Sequence, residues 1–77
     1  MNKEIIDGVN KQQFKTMMEA EKELKRCLSA DTGNRPQATL NGLYTRIDGL
    51  LGTMTRCQDK IMLMQQLTEE EAESKNK

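Results

Sequence analysis

Leu43, Ile47, Leu50, Met54, Cys57, Ile61 and Met64 are separated alternately by four and three residues, with no exception in the run. An α-helix turns once in 3.6 residues, so such a row falls on one narrow stripe of a helix and on alternating faces of a strand. Seven positions in register exclude a loop and predict one long amphipathic helix. Leu40, Tyr44 and Leu51 widen the stripe into a broad apolar face. The helix is expected to run from about residue 35 to residue 67.

A second, weaker stripe precedes it. Phe14, Met17, Leu24 and Leu28 fit a three–four spacing with Glu21 in the gap, within a helix expected over about residues 3–28. Before Phe14 the pattern is ragged and contains Gly8, so residues 2–9 read as a separate turn or a frayed end. The opposite face carries Lys11, Lys15, Glu19, Lys22, Glu23 and Arg26. Asp7–Lys11 and Glu21–Lys25 are i,i+4 pairs in the favourable order, each adding about 0.2–0.5 kcal/mol to a helix. This is the pattern of a solvated face.

Residues 29–35 form the one strong break, within "SADTGNRPQ". Gly33 can adopt positive φ after a helix end, and Lys25 and Arg26 suit the last carbonyls of the preceding helix. Asn34 can cap the next helix, with Pro36 in its first turn and Gln37 reaching back in a capping-box arrangement. A short loop between two long helices makes them antiparallel neighbours. The expected fold is therefore all-α, an antiparallel two-helix hairpin over residues 1–67. The closing "TEEEAESKNK", residues 68–77, reads as a charged flexible tail, with Thr68 and Glu71 able to cap a brief extra turn.

A turn centred near Thr32 and Gly33 would set Leu40 near Lys25 and Leu51 near Phe14, and leave Met64 beyond the start of the first helix. An intramolecular Cys27–Cys57 bridge is then out of reach, because the two positions lie many turns apart along the axis. In "KIMLMQQL" Met62, Leu63 and Met64 cover most of a helix circumference, so one neighbouring helix cannot cover them all. Two helices share one interface, and at about 1.5 kcal/mol of ordering entropy per residue a lone hairpin is close to the limit of stability. Association into a helical bundle, with itself or with a partner, is the expectation.

Glycine is the other unusual feature. "GLYTRIDGLLGTM" holds three of the chain's five glycines, although each costs roughly 0.5–1 kcal/mol in a helix interior. Gly42 and Gly49 each precede a stripe residue, so they lie along one flank, where a missing side chain lets another backbone approach. The competing reading is a soft or kinked helix at Gly49 to Gly52. A phosphate loop does not fit, since no strand precedes it and no Walker lysine follows. The six methionines can likewise serve as ordinary gap-filling core or as an adaptable partner surface.

The function classes narrow by what is missing. Formal net charge is zero, so long-range attraction to a polyanion is weak, and a nucleic-acid contact would have to rest on the local group Lys11, Lys15, Lys22 and Arg26. No stretch approaches the length of apolar sequence that spans a bilayer, and the first residues lack the apolar centre of a signal peptide. A cytoplasmic protein is expected. Histidine is absent, the two cysteines lie on apolar stripes, and the carboxylates are scattered. No catalytic group, metal site or cofactor is expected, and the chain reads as a non-enzyme.

The charged helix "MMEAEKELKRCL", a short polar turn and the longer apolar helix "LNGLYTRIDGLLGTMTRCQDKIMLM" together resemble, over roughly residues 14–67, the small two-helix needle-subunit co-chaperones of bacterial type III secretion systems. The resemblance is one of length, layout and spacing. It implies a hairpin that pairs with a second chaperone and holds an aggregation-prone needle subunit in the cytoplasm. Needle subunits themselves usually have a two-proline turn and an apolar end, whereas this chain has only Pro36 and a charged end. The expected function is a helical-hairpin interaction module that masks a partner's apolar helix. Gly42, Leu43, Ile47, Gly49, Leu50, Met54, Ile61 and Met64 are the expected partner-binding residues. A homodimeric four-helix-bundle regulator, or a structural subunit of a phage or secretion assembly, remains open beside it.

Overall fold

The computed structural model describes residues 1–75. Two helices make up the fold among these residues, α1 (Lys3–Leu28) and α2 (Gln37–Lys75), folded back on each other as an antiparallel hairpin. The molecule is a rod of 64 × 18 × 13 Å with a radius of gyration of 18.1 Å. A compact chain of this length would have a radius of about 11–12 Å.

α1 is continuous from its first turn, so residues 3–9 are helix and not the separate turn the ragged pattern suggested. The reason is a cap. The Asn2 side chain accepts hydrogen bonds from the backbone N–H groups of Glu4 and Ile5 at 2.9 and 3.3 Å, satisfying two donors with no helical acceptor. Glu4 adds a favourable charge to the same turn. At the other end Ser29 N–H donates to the carbonyls of Lys25 and Arg26, and both cations stand in the last turn as expected.

The connection differs in detail. Gly33 does not take positive φ, and neither does any other described residue. Instead the Asp31 carboxylate accepts from Gly33 N–H at 2.9 Å, an Asx turn that reverses the chain. Nor is Asn34 the cap of α2. The Pro36 carbonyl accepts the first helical bonds, from Thr39 at 3.0 Å and Leu40 at 3.2 Å, and Gln37 reaches forward to Asn41. Arg35 precedes a proline, which disfavours helical torsions there and delays the start by two residues.

α2 passes through the glycine-rich stretch without a break. Thr53 and Thr55 donate their hydroxyls to the carbonyls of Gly49 and Leu51 at 3.1 and 2.9 Å, and the Arg56 guanidinium lies over Gly52. Gly49 to Gly52 lie within one continuous helix. α2 also extends eight residues past the expected end at residue 67. Glu, Ala and Lys are strong helix formers, Gln65 donates to Glu69 one turn on, and Thr68 and Glu71 are half-buried in continuation of the stripe. The part of the expected tail at residues 68–75 is helix; Asn76 and Lys77 lie outside the described residues.

Two ion pairs mark the register. The Met1 ammonium meets Glu71 and Glu23 meets Arg46. This is a shift of about one and a half helical turns from the expected pairing, and it carries α1 to the far end of α2. Met64 is therefore not beyond α1, and Leu51 lies level with Glu21, not Phe14. The loop is asymmetric: the first turn of α2 overhangs the end of α1.

Of the four α1 residues expected to face α2, Met17 and Leu24 do so and Phe14 and Leu28 do not. Ile6, Asn10, Gln13, Met17, Ala20, Leu24 and Cys27 form a strict three–four row in which each member is buried or half-buried, whereas Phe14 and Leu28 stand out in solvent. Ala20, Leu24 and Leu50 form the centre of the core, with Cys27, Ile47 and Met54 packed against them. The core is thin. Among the described residues only Ala20, Leu24, Leu50 and Cys57 are buried, and none of their side chains is completely enclosed.

Candidate partner-binding surface

The expected binding residues separate into two groups. Leu43, Ile47, Leu50, Met54, Ile61 and Met64 are turned toward α1 with Cys57, at burials from half-covered to the 6% exposure of Leu50. Their partner within the chain is α1 itself. Gly42 and Gly49 are exposed, and a Cβ at either would meet nothing within 4 Å. No backbone approaches them in the hairpin.

The glycines and the Glu23–Arg46 pair identify one flank. Glu23 precedes Leu24 and Arg46 precedes Ile47, so both lie on the same side of the seam, and Gly42 and Gly49 lie further round that side. Arg46 Nε donates to Glu23 at 2.9 Å, with a second bond from Nη2. This carboxylate holds the Arg46 guanidinium above its ordinary range, by hydrogen bonding first and charge second.

Residues that follow seam positions lie on the opposite flank. Phe14 and Leu28 follow Gln13 and Cys27 on α1; Tyr44 and Leu51 follow Leu43 and Leu50 on α2. Antiparallel pairing brings those two edges together. Met18 and Met62 follow Met17 and Ile61 and extend the same flank outward. All six are exposed, from 48% for Leu51 to 68% for Met18. Ile5, Leu63 and Leu67 are the exposed apolar residues of the Glu23–Arg46 flank. The hairpin is thus two-sided: one flank carries six large exposed apolar side chains, and the other carries Gly42, Gly49, the Glu23–Arg46 pair and three such side chains.

Sequence reasoning missed this surface because it assigned Phe14 and Leu28 to the seam. The signal was present: a strict row through Ile6, Asn10, Gln13, Met17 and Ala20 leaves Phe14 one position outside. Two amides and an alanine made that row look unlike a core.

Concavity is slight. A shallow groove of about 300 Å³ is lined by Met62, Gln65, Gln66 and Glu69 along α2. Among the described residues no group of three His, Cys, Asp or Glu side chains could hold a metal ion, and no helix is long and apolar enough to cross a membrane. Cys27 and Cys57 are free thiols, the first half-buried and the second buried. Compared with family models, with curated proteins and with solved structures, the chain matches none.

Proposed function

We propose that the chain is a non-enzymatic interaction module that masks an apolar helix of a protein partner, as a cytoplasmic co-chaperone of the kind its layout resembles. One observation supports this above the others: six large apolar side chains, Phe14, Met18, Leu28, Tyr44, Leu51 and Met62, occupy one flank of a hairpin whose own core holds four buried residues. Large exposed patches of this type mark interaction sites more often than scattered single residues do. The mode is helix against helix, with methionines adapting to the partner's contours. The docking surface in this reading is the flank, and the inward row from Leu43 to Met64 holds the hairpin together behind it.

The test is capture from native extract with the wild-type chain and with Leu51→Glu, followed by mass spectrometry. The expected result is one helical protein retained in stoichiometric amount by the wild type and lost with Leu51→Glu, and a higher melting temperature of the chain when the purified partner is added. Equal retention by both, or no retained protein, would overturn the reading.

A further inference from the structure

The exposed face of α1 has a charge order that the hairpin does not use. Asp7, Lys11, Phe14, Met18, Glu21 and Lys25 follow one another at spacings of four, three, four, three and four. They form a second stripe, outside the seam, with Glu21 half-buried and the others exposed. Read along the helix the stripe runs acid, base, apolar, apolar, acid, base. Turned end for end about a point between Phe14 and Met18, it becomes its own complement: each acid meets a base and each apolar residue meets the other.

We infer that a second copy of this chain docks on this stripe, with the two α1 helices antiparallel about a two-fold axis. Phe14 then packs on Met18 of the second copy, Lys25 faces Asp7 of the second copy, and Lys11 faces Glu21 of the second copy. The two-fold repeats each contact, which is the self-complementarity a closed dimer needs. The same axis stacks α2 on α2 and buries Tyr44, Leu51 and Met62 beside the stripe, giving a four-helix bundle. The opposite arrangement, with rods parallel and α1 over the second copy's α2, sets Phe14 level with Gln58 and Glu21 level with Leu51, and replaces the α1–α1 ion pairs by the single contact of Lys25 with Asp48.

Area agrees. At roughly 100 Å² for each half-exposed large side chain, the six apolar residues of the flank offer about 600 Å² per copy. The aliphatic stems of Lys11 and Lys25 bring this near the ~800 Å² per partner of a standard interface. The Glu21–Lys25 bridge at 3.1 Å already holds two of the charged groups in place along the stripe. This inference rests on the reading of the apolar flank as an interface; the second copy covers that flank while no partner helix is bound to it.

The experiment is a charge-swap pair in the full-length chain. Asp7→Lys with Glu21→Lys makes the stripe all basic; Lys11→Glu with Lys25→Glu makes it all acidic. Circular dichroism checks that each remains helical, and sedimentation at low salt gives its oligomeric state. The wild type is expected to be a dimer. Each double variant alone is expected to dissociate at concentrations at least ~10-fold higher than the wild type does, through like-charge repulsion. An equimolar mixture of the two is expected to form a one-to-one heterodimer.

A monomeric wild type, variants that dimerise as well as the wild type, or a mixture that does not associate would each overturn the inference. The two proposals can be told apart. A monomeric wild type that still retains a helical protein through Leu51 removes the second copy and leaves the masking role. A swap-restored dimer that retains nothing leaves the second copy and removes the masking role.

Discussion

At Asn10 the seam of α1 carries a buried carbonyl oxygen with no hydrogen-bond partner. An unsatisfied buried polar group costs about 1–3 kcal/mol, while a polar residue in a seam helps fix which residues face each other. Asn10→Leu is therefore expected to stabilise the fold by about 1–2 kcal/mol in urea unfolding, and an unchanged or lower midpoint would show that the amide finds a partner. Gly42 and Gly49 can be tested in the same way. Each has open space where a Cβ would go and no positive φ, so alanine should add about 0.5–1 kcal/mol of helix stability. If these glycines admit a partner's backbone, as their spacing suggested, the same alanines will weaken partner capture while raising the melting temperature. A loss of stability on Gly49→Ala would mean that something closes on that flank.

At the scale of the helix, the informative residues are those with no apolar partner. The segment from Thr68 to Lys75 has the composition of a tail, yet Thr68 and Glu71 continue the three–four row past Met64, and Glu71 receives the Met1 ammonium. Each end of the rod depends on the other. Removing residues 68–77 is expected to lower the helical signal by more than the residues deleted, because the first turn of α1 loses its opposite number. Hydrogen exchange should show faster exchange at the amides of Ile6 to Asn10. If protection in α1 is unchanged, the last two turns of α2 do not support it.

The whole molecule is a rod with one thin seam. Its accessible surface is 6278 Å², against roughly 4,800 Å² for a compact monomer of this mass. Stability of about 0.05–0.15 kcal/mol per residue leaves only some 4–12 kcal/mol in total. With so few buried side chains, each carries a large share. Leu24→Ala or Leu50→Ala should cost about 2–4 kcal/mol and shift the thermal midpoint by ten degrees or more, read by circular dichroism at 222 nm. Phe14→Ala, on the open flank, should change the midpoint of dilute, dissociated protein by little. Were the two classes to cost the same, the seam assignment would be wrong.

By itself the sequence determined that this chain is two helices and one turn, and which row of α2 faces inward. Leu43 through Met64 repeat so regularly that local geometry leaves no other choice, because a helix places every such residue on one line whatever surrounds it. The sequence did not determine which row of α1 answers that line. Asn10, Gln13 and Ala20 are poor apolar signals, and Phe14 and Leu28 are strong ones in the wrong place. Nor did it determine the register, the end of α2, or the flank on which the exposed apolar residues collect. Those depend on how far the loop advances one helix past the other, and on which edges an antiparallel pair brings together. Such distances are set between helices, across space, where sequence spacing has no hold; only the tertiary structure decides them.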